Sequence, residues 1–356
     1  MDVMLKTLGA DGMQRFHALA PDAVSAATER FYSTLGSAYA QFGPRGRDAC
    51  REDLAFHLEF LKPVLEFGLL APMVDYLSWL ASVLAARMIP VEHLALSLDW
   101  LAEFFGAHME ASDGAVVVAA LHAVRTEFLA MNKMPGAPSQ PETAPGELVA
   151  FEAALLAGDQ REALAIVNGF MDRGHGLVDV ELRVILPAMY RIGAKWQANE
   201  VTVAQEHIAT AIVQSVMTIA LLRSTPPAPI GKRVLLACVA GNHHAIGLRM
   251  VADSFQLAGW EIQYLGADVP TPSLIRQIED WSPDLVGLSL SFPQQLKVAK
   301  AVIAQMSARF GSARPPVIIG GLAINRFERL VKVVGADAFS ADAQAAIIAA
   351  NRLVIG

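Results

Sequence analysis

The sequence predicts a multidomain chain of mixed class: an all-α N-terminal domain of globin-like size, a four-helix bundle, and a C-terminal doubly wound parallel α/β sheet. Three observations predict it. Residues 1–131 show only the three- and four-residue apolar spacing of amphipathic helices. A stretch with four prolines then interrupts all periodicity. Beyond residue 231, short apolar runs alternate with helical patterns, as parallel βαβ units require.

Composition describes an ordered chain: 356 residues, 54% apolar and 18% charged, enough material for more than one buried core. The net charge of -7, with no basic helix or arm, excludes general nucleic-acid affinity, since phosphate contacts need clustered Lys and Arg. The two cysteines, Cys50 and Cys238, lie too far apart in sequence to form a disulfide framework or a zinc site, and reduced thiols suit the cytoplasm. The N-terminus lacks a basic segment followed by an apolar run, and no apolar run reads as membrane-spanning. Neither export nor a membrane partner is expected.

In the N-terminal domain, helices are expected over 22–41, 47–68, 71–87, 91–109 and 113–131, with Pro21, Pro44, Pro72 and Pro90 at or near their boundaries. His57 stands between Phe56 and Phe60, Tyr76 and Trp79 are one helical turn apart, and Trp100, Phe104 and Phe105 cluster later. These residues read either as an aromatic core with an incidental histidine or as the walls and anchor of a pocket for a planar tetrapyrrole. Periodicity does not separate the two. His17, His93, His108 and His122 read as surface or helix-face residues.

Residues 132–147 form an interdomain linker, semi-extended where prolines concentrate. Helices follow over 148–157, 159–172, 177–196 and 200–224, with turns at Gly158-Asp159 and Gly174-His175-Gly176. Four helices with short connections make an antiparallel bundle over 148–225. Its last two helices carry Trp196 and Glu206-His207, which by patterning alone are a buried tryptophan and a solvated pair.

The α/β domain spans 231–356. Val234 to Ala240 is short, β-compatible and not alternating, the pattern of a strand buried on both faces. Strands over 234–240, 261–265, 284–290, 316–319 and 337–339 alternate with helices over 245–258, 271–281, 293–310, 323–334 and 341–353, a flavodoxin-like arrangement. The loop Gly241-Asn242-His243-His244-Ala245-Ile246-Gly247 follows the first strand, at the sheet edge where such folds bind ligands. A neutral imidazole there can ligate a metal, with a neighbour setting its tautomer, or the loop is a solvated turn. Ser289-Leu290-Ser291 ends the third strand and Gly320-Gly321 the fourth.

The spacing Asn242-x-His244-x-x-Gly247 resembles the signature of the cobalamin-binding family, in which an acid, a His and a Gly hold these places. The resemblance implies that His244 is the lower axial ligand of cobalt. Asn242 replaces the acid; an amide can still orient the imidazole but adds no negative charge. It also implies that Ser289, Ser291, Gly320 and Gly321 line a slot for the displaced dimethylbenzimidazole tail, and that the stretch from Gly335 to Asp342 passes near that tail. Trp196, nine residues, then Glu206-His207 resembles the helical cap of light-responsive cobalamin regulators. There the Trp packs beside the upper ligand, and the Glu-His pair contacts that region. DNA-binding members carry a His after the Trp; Gln197 stands there in this chain, leaving His207, water or an open site for the upper face after photolysis.

An all-helical domain joined to such a module resembles the photocobilins, which combine adenosylcobalamin with biliverdin. The resemblance implies a photoreceptor and not an enzyme. Biliverdin would lie among His57, Tyr76 and Trp79, bound noncovalently, with Cys50 as the thioether candidate. Photolysis of the cobalt–carbon bond would change domain packing or a light-dependent homo-oligomer. With no output domain expected beyond Gly356, the signal would leave through assembly or a protein partner, without nucleic acid or membrane. Three further readings stay open: a corrinoid carrier serving a methyltransferase, a light-responsive antirepressor acting on a transcription factor, and a haem sensor with His57 as proximal ligand. No paired catalytic carboxylates, nucleophile–base arrangement or basic recognition helix stands out.

Overall fold

The computed structural model describes residues 5–133, 146–225, 227–326, 331 and 334–355. Most of the linker expected over 132–147, and part of the helix expected over 323–334, lie outside them. The chain forms two compact units, Met1–Gln140 and Pro141–Gly356.

The first unit is helical throughout its described residues: α1 (Ala10–Tyr39), α2 (Gly43–Phe67), α3 (Ala71–Ala85), α4 (Val91–His108) and α5 (Ala111–Lys133). Helix α1 starts well before the expected position 22 and runs straight through Pro21. Proline removes one intrahelical hydrogen bond. Here Met13 and Phe16 before it, and Ala23, Val24 and Ala27 after it, are all buried, so packing outweighs that loss. Pro44 and Pro72 do sit in first helical turns, and Pro90 is the N-cap of α4.

Helix α5 bears on the expectation about membranes. Its 21 residues Ala111–Met131, at mean hydropathy 1.4, are long and apolar enough to cross one. In this unit the helix packs as a core element. Val117, Ala120, Leu121, Val124 and Phe128 are buried, and Arg125 pairs with Asp99 of α4 at 3.0 Å.

The second unit begins with the bundle: α6 (Gly146–Ala157), α7 (Gln160–Asp172), α8 (Leu177–Val180), α9 (Leu186–Gln197) and α10 (Val203–Arg223). Asp159 caps α7 by accepting from the Glu162 N–H, and Thr202 with Gln205 forms a capping box on α10. The helix expected over 177–196 is not regular. Between α8 and α9, residues Glu181–Ile185 form a π turn in which the Leu186 N–H donates to the Glu181 carbonyl. Pro187 supplies the reason. It has no N–H to donate, and its ring would strike the carbonyl four residues back in a regular helix. Widening the turn removes that clash.

The sheet contains β1 (Arg233–Val239), β2 (Glu261–Val269), β3 (Leu285–Ser289), β4 (Val317–Gly320) and β5 (Ala338–Ser340), in the order β2-β1-β3-β4-β5. All its pairings are parallel. Helices α11 (Ile246–Leu257), α12 (Thr271–Trp281), α13 (Leu296–Phe310), α14 (Leu322–Arg326) and α15 (Ala343–Val354) connect or follow the strands. This is the doubly wound arrangement, with its switch point between β1 and β3. From Val234 to Val239 every residue of β1 is buried. Bundle and sheet share core: Met250 of α11 and Ala343 of α15 pack into the cluster built on Phe151, Leu155, Val213 and Met217. The bundle is thereby seated against α11, the helix that follows the histidine loop.

Candidate functional site

Strand β1 ends at Val239, and Gly241 turns the chain with φ +80°. Asn242, fully buried, donates from Nδ2 to the Ser289 carbonyl at 2.9 Å and accepts the His244 N–H at 3.2 Å on Oδ1. Its amide therefore bonds the loop backbone and β3, not the imidazole whose orientation was expected to be its task. On the other side, Asp268 accepts the Gly241 N–H at 2.7 Å, and the Asp268 N–H donates to the Asn242 carbonyl at 3.0 Å.

His244 is left with an exposed side chain whose ring meets Phe292 edge-on at 5.1 Å. Desolvation holds its imidazole below the ordinary histidine range; the Glu206 carboxylate opposes that shift, and His243 reinforces it. At neutral pH the ring is accordingly uncharged and keeps a lone pair for a metal. Cys238 directly beneath is buried, and burial pushes its thiol up to about 11, so it stays protonated.

Ser289 and Ser291 are buried at the end of β3. Gly320 and Gly321 meet them from β4. The Gly320 carbonyl accepts the Leu290 N–H at 2.9 Å, and a Cβ on Gly321, where φ is +99°, would stand 2.3 Å from the Leu290 oxygen. Only glycine allows that approach. Gly247, by contrast, has open space where a Cβ would point. The three strand ends thus present an uncharged imidazole, small side chains and one unfilled position. These features suit a flat, metal-centred macrocycle with a heterocyclic tail.

Above the loop, α10 presents Val203, Glu206, His207 and Thr210 at three- and four-residue spacing, hence on one face. Glu206 accepts from the Thr210 hydroxyl at 2.9 Å and bonds the His207 Nδ1 at 2.6 Å. Trp196 and Gln197, at the end of α9, are half-buried. Because the Glu206 carboxylate acts on His244, the bundle motif and the loop motif adjoin one space.

In the first unit His57, Tyr76 and Trp79 do come together. His57 is 1% exposed, with Nδ1 3.0 Å from the Tyr76 hydroxyl, and Phe60 stacks on Tyr76 at 3.9 Å. Burial lowers the His57 imidazole to about 4 and raises the Tyr76 phenol. Trp79 lies 6.2 Å from Tyr76 and is 38% exposed. Desolvation raises the Cys50 thiol to about 12, which makes it a poor nucleophile.

Sequence reading missed Gln295. Buried at the start of the segment leading into α13, it accepts from the N–H groups of Ser291 and Phe292 at 2.8 and 3.1 Å and donates to the Gly241 carbonyl at 2.8 Å. One amide therefore bridges the two ligand-side loops. Its bonds to Ser291 and Phe292 are local, but the bond that makes it a bridge goes to Gly241, on another strand's loop, and no local signal marks that one. Tyr264, also missed, donates to the Ala245 carbonyl at 3.2 Å.

Residues 232–349 match a B12 binding domain, and residues 149–221 match a second B12 binding domain model. The HTH-type transcriptional repressor CarA of Myxococcus xanthus is 29% identical over 185 residues, 51% of this chain and 59% of that protein. Dimethylamine corrinoid protein 3 of Methanosarcina acetivorans is 26% identical over 152 residues, 42% of this chain and 70% of its own length. The chain spans little more than half the length of CarA. Among solved structures, the monomethylamine corrinoid protein of Methanosarcina barkeri shares 20% identity, with 57% of this chain and 96% of that one covered, at a TM-score of 0.48. Residues 149–221 and 232–349, the bundle and most of the sheet region, thus each match a B12 binding domain, and through them the chain is similar to cobalamin-binding proteins.

Proposed function

We propose that this protein is a light sensor that holds adenosylcobalamin base-off between bundle and sheet, with His244 as the lower cobalt ligand. The observation that carries the reading is that the Glu206 carboxylate of the bundle lies near enough to the His244 imidazole of the sheet loop to act on its charge, which supports reading the two motifs as one site. Bound adenosylcobalamin would supply a cobalt–carbon bond that light can cleave.

The chain's own residues supply the rest. His244 offers an uncharged imidazole, and Ser289, Ser291, Gly320 and Gly321 keep the sheet edge small. Trp196 and the α10 face of Val203, Glu206 and His207 pack the adenosyl side. Glu206 bonds the His207 Nδ1 and leaves Nε2 outside that bond, so His207 is the imidazole this cap can offer where Gln197 offers none. Repacking of the bundle against α11 then biases a homo-oligomeric or partner-binding equilibrium. The role is signalling, not catalysis.

Biliverdin is the other half of the proposal, and the first unit fits it less well. His57 and Tyr76 are buried and bonded to each other, while Trp79 is 38% exposed.

The test is an absorption spectrum of protein supplied in the dark with adenosylcobalamin and biliverdin, taken before and after green illumination. Cobalamin bands that shift, beside a retained red band, support both chromophores. Cobalamin bands without the red band remove biliverdin, and cobalamin bands indifferent to light remove the sensor. His244→Ala should weaken cobalamin binding or place water on the lower face; unchanged affinity and spectrum would defeat the ligand assignment. Size-exclusion chromatography in dark and light reads the assembly step.

A second reading, a corrinoid carrier for methyl transfer, is supported by the likeness to a dimethylamine corrinoid protein over 152 residues. Methylation of the bound corrinoid by a methyl donor and its methyltransferase would favour it.

A further inference from the structure

Where the π turn meets α11, two carboxyl groups are buried together. Glu181 is 0% exposed and Asp253 1% exposed, and each acts directly on the other. Arg249 donates to one Asp253 oxygen at 2.6 Å. Both oxygens of Glu181 and the second of Asp253 find no hydrogen-bond donor. Two carboxylates facing one guanidinium would leave a net buried charge and three acceptors unsatisfied, an arrangement costly enough to neutralise itself. A single proton resolves both problems. It turns one carboxyl into a donor toward the other, and the remaining negative charge is matched by Arg249.

We propose that Glu181 and Asp253 share one proton and so form a latch that fastens the bundle to α11, which deprotonation loosens. The neighbouring charges are few. Arg249 and Asp253, both on α11, are the charged groups that act on Glu181. Asp179 and Arg183, beside Glu181 in sequence, pair with each other at the surface at 3.8 Å. From β2, Tyr264 lies under Arg249 at 6.0 Å and bonds the carbonyl of Ala245. The latch is thereby linked to the loop that carries His244, although the proton-sharing itself needs no bound cofactor.

The sign of the pH effect follows from burial. Desolvation raises Glu181 far above the usual carboxylate range, with Asp253 adding to the rise. Stability held by the proton is complete at acid pH and is lost as pH climbs toward the folded-state value. At the lower edge of pH 6.5 to 8.5, His57 and His244, both lowered from 6.5, add a small gain of stability with rising pH that wild type and variant share. Asp53, raised to about 6, titrates below that window. Cys50 and Cys238, raised from 9.0, titrate above it.

The test is thermal unfolding of the full, ligand-free chain across that window. Wild-type Tm should fall by roughly 3–5 °C per pH unit, and E181Q should be nearly flat. Parallel slopes would overturn the proposal. Infrared spectra at pH 8 give a second reading that does not depend on the variant folding well. A protonated carboxyl stretch in the wild type supports the shared proton, and its absence refutes it. Hydrogen exchange in α11, corrected for intrinsic rate, should rise from pH 6.5 to 8.5 in the wild type; equal protection would show that the pair does not fasten the bundle.

Discussion

Asn242 shows how a single amide holds the site together. It is fully buried and bonds both Ser289 and the His244 N–H. Asn242→Asp exchanges a donor for an anion facing the Ser289 carbonyl, so urea unfolding should register a loss of about 1–3 kcal/mol. An unchanged midpoint would mean that water or a rotated loop replaces the bond. His57 makes a prediction of opposite kind, in pH. Its imidazole falls from 6.5 to about 4 because burial disfavours the charged form. The stability it contributes is present above 6.5 and is lost as pH falls through 4, an effect of roughly 3 kcal/mol. Asp53, raised from 3.8 to about 6, works in the other direction and masks part of that loss. Comparing His57→Gln with the wild type from pH 7 to 4 isolates the histidine: the variant should lose less stability on acidification.

Helix α10 presents the bundle face of the site from its first turns, and Thr202 with Gln205 caps it reciprocally. Thr202→Ala should lower stability by about 1 kcal/mol and fray the turn that holds Glu206 and His207. A fall in Tm, with faster exchange confined to that turn, would show it. The π turn behaves in the opposite manner to most helix defects. Pro187→Ala restores a backbone donor and ordinarily favours helix, yet closing the turn would rotate α8 by about 100° against α9. Leu177 and Val180 would leave the core and Glu181 would leave Asp253. The variant is therefore expected to melt lower than the wild type, despite having lost a proline.

At the scale of the molecule, the two compact units predict separable unfolding. Calorimetry of the ligand-free chain should resolve two transitions, and cobalamin should raise only the one belonging to residues 141–356. Free cobalamin at about a thousand times its Kd would add roughly 4 kcal/mol to that unit alone. A single transition, or a ligand shift in both, would show that the units are energetically coupled.

Much of this protein was determined locally. The α/β alternation, the bundle's four helical patterns, and His244, Gly320 and Gly321 at strand ends were legible because each depends on residues a few positions apart. So was the Trp196, Glu206 and His207 spacing. The passage of α1 through Pro21 was not, since the buried contacts on either side outweigh a local break. Nor was the packing of α5 in a core, because hydropathy does not distinguish burial against protein from burial in lipid. Gln295 bridging two loops, Asn242 turned toward β3 and the Glu181–Asp253 pair all required the tertiary structure. Their partners are distant in sequence, and a polar residue announces its bond only once folding has removed the water that would otherwise have satisfied it.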